Sequence, residues 1–229
     1  MNAVLTSLVR SELLHVDGVR KLAPARRFAS LVTSETAPEC LFFLDSGFVK
    51  VVRRGVDSKE ALLSIIGPGE IFGEHALLLF APRAFTAEIL QEGTIYEIPR
   101  SLFLSFCDAH PQVWHGLWEL AMRRHLESEQ KIALLCLEDV EFRILHYLAQ
   151  LAVPFGAPAS DQDEYSLPLS QSELASLVGA TRETTSTTLN ALARQGLLTL
   201  GRRLMTVRSL EALRSASRNH KTKAAQSGA

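Results

Sequence analysis

Between residues 40 and 99 the apolar positions fall into short blocks broken by glycine, proline and charged side chains. Residues 41–44 and 48–52 flank Asp45-Ser46-Gly47, a pattern that predicts a hairpin. Further blocks at 61–66, 71–73, 85–90 and 94–98 are set apart by Gly67-Pro68-Gly69 and similar punctuation. Short strands at this spacing predict an antiparallel barrel or roll. After Pro99 the pattern lengthens. Residues 112–136 lack proline and hold only Gly116, with Pro111 at a first-turn position, so a helix of about seven turns is expected. Within it Trp114, Trp118, Ala121, His125, Ser128, Ile132 and Leu135 recur at steps of four and three with no charge among them. That is the spacing of a coiled-coil seam and predicts a homodimer, with polar His125 and Ser128 fixing register or reaching toward something bound beside it. Residues 138–151 predict another helix, striped by Val140, Ile144, Tyr147, Leu148 and Leu151 and stopping at Pro154. Residues 155–164, with Gly156, Pro158 and three acids, read as a loop or linker.

The stretch 167–207 carries the candidate chemistry. Ser170-Gln171-Ser172-Glu173 has the form of a capping box and starts a helix buried through Leu174, Ala175 and Val178. Gly179-Ala180 then breaks it in the manner of a helix-turn-helix. Thr181 caps a second helix reaching about Arg194, with Gly196 as its left-handed terminator. On a helical projection Thr185, Thr188, Leu189 and Leu192 share one side, leaving Arg182, Glu183, Ser186, Thr187 and Asn190 on the other. That second face is wholly polar and narrow enough for a DNA major groove, in which an Arg can donate to guanine and a Glu can accept from cytosine. Residues 198–207 read as a hairpin tipped by Arg202 and Arg203, a wing placing two cations near phosphates.

Charge supports this division. From Ser166 onward nine Lys/Arg stand against three acids, a net +6, whereas the first 165 residues carry 15 against 22, a net −7. A basic module beside an acidic one suits a polyanionic partner. The small polar residues from about Ser215 predict a disordered tail. With 229 residues and 47% hydrophobic content the chain can bury two cores. Its longest apolar runs, at 76–80 and 132–137, are too short to cross a bilayer, and residues 1–14 lack a secretory leader, so a cytoplasmic protein with no membrane contact is expected. Cys40, Cys107 and Cys136 are too scattered for a disulfide framework or a metal site, and no metal is expected. Cys107 and His110 could in principle form a nucleophile and base, but no phosphate-cradling Gly loop, HExxH or GxSxG accompanies them, so no enzyme is expected.

The run from Ser170 to Thr184 resembles the DNA-binding signature of the cyclic-AMP receptor protein and fumarate-nitrate regulator (Crp/Fnr) superfamily, which implies that Ser170 and Thr181 are DNA-binding as well. Gly69-Glu70-Ile71-Phe72-Gly73-Glu74 with Arg83 is similar to that family's cyclic-nucleotide-binding roll, and residues 137–144 to its junction after the dimer helix. The resemblance implies an α+β protein: a sensor roll over 1–110, a dimerisation helix over 111–137 and a winged helix-turn-helix over 138–229. It implies a homodimeric regulator that reads a near-palindromic operator and works with RNA polymerase. Arg182 and Glu183 match the family's base-reading pair, and Thr187 stands where a second Arg reads a TGTGA-like half-site, so the operator should differ there.

For the effector the resemblance implies Gly73, Glu74 and Arg83 around a cyclic nucleotide, with Ala84 replacing a phosphate-binding Ser and Ser128-Glu129 at the base-contacting pair. The missing hydroxyl and the added carboxylate argue against a cyclic-AMP response. A single Cys40 excludes the family's iron-sulfur cluster, and His75, at its haem-ligand position, lacks the accompanying Cys, so haem is not expected. The segment before Cys40, with Arg26, Arg27 and Pro38, departs from the usual Gly-rich opening of the roll. The alternative is a DNA-binding protein whose roll is only a scaffold or partner-binding module.

Overall fold

A computed structural model of the chain describes residues 3–22, 30–32, 39–55, 60–78, 86–160 and 163–227. Two compact units, residues 1–129 and 130–229, divide within one long helix. The first opens with α1 (Ala3–Ser11), whose Leu5 and Val9, four apart, face inward and are followed by buried Leu13. Then come β1 (Arg20–Lys21), β2 (Ser30–Val32), β3 (Cys40–Leu44), β4 (Phe48–Arg54), β5 (Glu60–Ile66), β6 (Glu70–Phe72), β7 (Thr86–Gln91) and β8 (Ile95–Pro99). They form two sheets of order β1-β8-β3-β6 and β2-β7-β4-β5, with antiparallel pairing throughout. After β8 the chain continues into α2 (Arg100–Ala109) and α3 (Gln112–Leu137).

The expected hairpin around Asp45-Ser46-Gly47 does not form. Strand β3 pairs with β6 and β8, whereas β4 pairs with β5 and β7, so the turn carries the chain from one sheet to the other. Residues 92–94, between β7 and β8, make the same crossing, and the two turns meet back to back. Ser46 and Thr94 exchange backbone hydrogen bonds of 3.3 and 3.1 Å. A Cβ on Gly93 would lie 1.9 Å from the Ser46 carbonyl oxygen, and one on Gly47 would lie 2.7 Å from that of Gln91. Glycine at both positions is what lets the crossings touch.

Strand β3 is apolar at every position because both its faces are covered. Leu41 and Phe43 pack with α1, α2 and the first turns of α3, while Phe42 and Leu44 face the second sheet with Val49, Ile66, Phe72 and Ile89. On β4 and β7, Lys50 and Glu88 are buried as an ion pair at 3.0 Å, joined by Glu60 at 3.2 Å and by Arg54, and none of the four leaves its charge uncompensated.

The second unit contains the end of α3, then α4 (Val140–Phe155), β9 (Ala157–Ser160), β10 (Glu164–Leu167), α5 (Gln171–Val178), α6 (Arg182–Arg194), β11 (Leu198–Gly201), β12 (Leu204–Val207) and α7 (Leu210–Ser227). Its sheet runs β11-β12-β10-β9. Asp139 caps α4 by accepting from the Phe142 amide at 2.9 Å. Three expectations change here. Pro154 lies within the last turn of α4, where the lost N–H removes one bond at an end that is already open, and the helix runs to Phe155. Residues 157–160, expected as loop, form β9, an edge strand on which Pro158 can sit opposite Tyr165. The tail beyond 215, expected to be disordered, continues α7, because no Gly or Pro interrupts 210–227. Its start is anchored by buried Leu210 and Leu213, and by Asp163, which accepts from the Glu211 amide at 3.1 Å.

Candidate nucleic-acid interface

The capping box predicted from four residues is complete. Ser170 Oγ accepts from the Glu173 amide at 3.2 Å, while Glu173 Oε2 accepts from the Ser170 amide at 2.8 Å and from its hydroxyl at 2.7 Å. Leu174, Ala175, Leu177 and Val178 are buried, so α5 is fixed at its start and along its length. Gly179 ends it at φ 65°, and a Cβ there would fall 2.6 Å from the Leu135 side chain of α3. Thr181 then caps α6, accepting from the Thr184 amide at 3.1 Å. Helix, glycine turn and capped helix make a helix-turn-helix.

Along α6, Thr185, Leu189 and Leu192 are buried, and Arg182, Glu183, Thr187 and Asn190 are exposed with Ser186 half-buried among them. The structure therefore brings the predicted reading face together. Two further hydroxyls are occupied: Thr184 Oγ1 lies 3.0 Å from Thr181 Oγ1, and the Thr188 hydroxyl donates to the Thr184 carbonyl at 3.0 Å, while the buried Thr185 hydroxyl has no partner among the described residues. Ser170 and Thr181, named from the sequence as DNA-binding, spend their hydroxyls on the caps. The wing also forms. Strands β11 and β12 pair down to Gly201 opposite Leu204, leaving Arg202 and Arg203 as an exposed two-residue tip. Arg203 takes φ 58° to close it. Arg208 stiffens the hairpin by donating to Thr199 Oγ1 at 3.0 Å.

On α3 the seven seam positions, Trp114, Trp118, Ala121, His125, Ser128, Ile132 and Leu135, are all exposed, Trp118 and Ile132 each at 62%. Leu117 and Leu120 in the first unit, and Leu134 in the second, are buried on a side of the helix that adjoins the seam. A helix that buries one set of apolar side chains and leaves a second apolar stripe exposed has a face to give a partner.

The effector residues separate into two groups. Gly73 adopts φ 78° against the Phe42 ring and sets Glu74 at the start of a short 3-10 turn. Burial opposes ionisation of Glu74, yet the Arg124 guanidinium on one oxygen outweighs it and holds the carboxyl below its ordinary range. Arg124 also donates to the Ile71 carbonyl at 2.7 Å, and Arg123 pairs with Glu70 at 3.3 Å. This arginine pair was missed from the sequence, where only the complementary spacing of Glu70 and Glu74 hints at it. Glu74 Oε2 is buried with no hydrogen-bond partner among the described residues, an acceptor suited to a ligand hydroxyl. Ser128 instead donates to the Arg124 carbonyl at 2.8 Å, and Glu129 pairs with His125 at 3.3 Å, both exposed. They do not form a closed base-binding pair within this chain. Arg83 and Ala84 lie outside the described residues, as do Arg26, Arg27 and Pro38.

Cys107 is fully buried, and its thiol is pushed up to about 11 by burial and by Asp108. The His110 ring lies tilted against Phe106, with centroids 4.5 Å apart, and meets Glu12 at 3.2 Å, so these two side chains serve the packing of α2. Among the described residues no group of His, Cys, Asp and Glu is placed to hold a metal, and no helix is long and apolar enough to cross a membrane.

A roll, a long helix with an outward apolar seam and a winged helix-turn-helix define a DNA-binding regulator. Comparison with known proteins agrees. The cyclic nucleotide-binding domain model matches residues 26–110, and the Crp-like helix-turn-helix domain model matches residues 142–216. The CRP-like cAMP-activated global transcriptional regulator of Mycobacterium tuberculosis is 33% identical over 160 residues, covering 70% of this chain and 71% of that protein. The cyclic AMP receptor protein of Thermus thermophilus is 31% identical over 163 residues, covering 71% of this chain and 72% of that one. A solved CRP-family regulator from Thermus thermophilus superposes with a TM-score of 0.72 at 25% identity, over 86% of this chain and 96% of the other. FixK2 from Bradyrhizobium japonicum shares the fold at a TM-score of 0.73 and 22% identity, over 86% and 96% of the two chains. The chain belongs to the Crp/Fnr superfamily of transcription regulators.

Proposed function

We propose that two copies of this chain pair along α3 and read a near-palindromic operator, each inserting α6 into a major groove. The observation that carries this is the exposed polar face of α6, where among the described residues no ion pair ties down Arg182 or Glu183. Arg182 donates to guanine O6 and N7, Glu183 accepts from cytosine N4, and Thr187 supplies a methyl and hydroxyl where relatives of the TGTGA type carry Arg. Arg202 and Arg203 hold phosphates without reading sequence. Two such helices meet successive major grooves when about 34 Å apart.

A small effector in the roll, donating a hydroxyl to Glu74, biases this pairing by binding one arrangement of the protomers better than another. The protein acts by binding, with no catalytic step of its own, in the cytoplasm and in contact with RNA polymerase.

The test is in vitro selection of bound duplexes by the full chain, followed by gel shifts with Arg182→Ala. The substitution should cost roughly 1–3 kcal/mol on the selected operator and relax one base position. Unchanged affinity would overturn the assignment. Calorimetry with cyclic mononucleotides and dinucleotides examines the effector: the absence of both heat and a melting shift would leave the roll as a ligand-independent scaffold.

A further inference from the structure

The five side chains of the α6 reading face differ in where they point. Relative to Arg182, Ser186 lies at about 40°, Asn190 at about 80°, Glu183 at about 100° and Thr187 at about 140° around the axis. Asn190 therefore sits at the middle of the face, with Arg182 and Thr187 at its margins. A short side chain reaches base edges only from the middle of the face, which looks onto the groove floor, whereas the long Arg182 side chain reaches them from the margin. Asn190 is exposed, and among the described residues its side-chain amide has no partner, because Arg194 bonds only its backbone carbonyl, at 3.4 Å.

We infer that Asn190 is a specificity-determining residue that reads an adenine in each half-site. This rests on the proposal that α6 enters the major groove, and it adds the base read there. A carboxamide carries a donor and an acceptor side by side. Adenine alone offers the complement in the major groove, with N7 accepting and N6 donating. Guanine presents two acceptors, cytosine a donor, and thymine an acceptor beside a methyl. Arg182 and Asn190 are eight residues apart, about 12 Å along the axis at 1.5 Å per residue. With base pairs about 3.4 Å apart, the adenine lies three to four pairs from the guanine held by Arg182.

The experiment uses the full chain and operators selected from a random library, each then varied singly at every position. Wild type should prefer A over the other bases at one position per half-site, three to four pairs from the Arg182-dependent G. Asn190→Ala should lose that preference, roughly 5- to 100-fold, and keep the others. Asn190→Asp, which keeps the shape but only accepts, should shift the preference at that position toward C. Circular dichroism of each variant checks that this exposed helical site still folds. If Asn190→Ala weakens all operators equally, the residue contacts a phosphate and the inference is overturned. Retention of the A preference in Asn190→Ala overturns it too. An Arg182-dependent operator with no Asn190-dependent position defeats this inference alone. Failure to select any Arg182-dependent operator defeats the proposed function with it.

Discussion

Arg203 holds a left-handed backbone at the tip of the wing, a conformation that favours glycine, so charge there is kept against local preference. Arg203→Gly should leave the second unit as stable or up to about 1 kcal/mol more stable, while lowering DNA affinity and the salt slope. Thermal melts and binding titrations at several salt concentrations separate the two effects. Lys131 on α3 gives a second prediction at this scale. Burial pushes its ammonium down to about 8, from an ordinary 10.5. Between these values the unfolded chain binds more protons than the folded one, so this residue makes stability rise with pH across that window. Lys131→Met should remove that rise, visible as a smaller difference in melting temperature between pH 8 and pH 10. The capping hydroxyls of Ser170 and Thr181 were readable in advance because a cap closes within three residues. Each capping oxygen accepts from a backbone amide three residues on. Arg124 beside Glu74 could not be read, since 50 residues separate them and only the fold brings them together.

At the scale of elements, periodicity located the roll's strands and both helices of the helix-turn-helix, and the structure keeps them. It misassigned connections. An apolar block, a glycine turn and another apolar block describe a hairpin and a sheet-to-sheet crossing equally well, and the pairing partners of β3 and β4 are what distinguish them. The glycines at the crossings are therefore more constrained than a hairpin would need. Gly93→Ala would drive a methyl into the Ser46 carbonyl, a backbone group that cannot swing aside, and should cost about 1–3 kcal/mol or more. Denaturant unfolding of the variant checks this, and a loss under 0.5 kcal/mol would mean that the two turns do not touch in solution. Strand β9 and the extension of α7 were hidden for a similar reason. Polar composition describes exposure, and an edge strand or a one-sided helix can be largely exposed and still ordered.

For the whole molecule, the exposed seam on α3 has consequences for assembly. Trp118→Glu or Ile132→Glu would set like charges opposite each other in a symmetric pair and desolvate them. Sedimentation should find single subunits, and affinity for a palindromic operator should fall far more than affinity for a half-site. Equal losses on both would point to damage within α6 or the wing.

The amino-acid sequence by itself determined what is local or periodic: the strand and helix pattern, the caps, the winged helix-turn-helix and the polar face with Arg182 at its tip. It also determined the outward seam, because a second apolar stripe at heptad spacing is a property of one helix. Only the tertiary structure decided which strands pair, why Gly47 and Gly93 must be glycine, and that Arg124 neutralises Glu74. These depend on contacts between residues distant in the chain, and neither propensity nor periodicity carries information about which distant partner a group will meet.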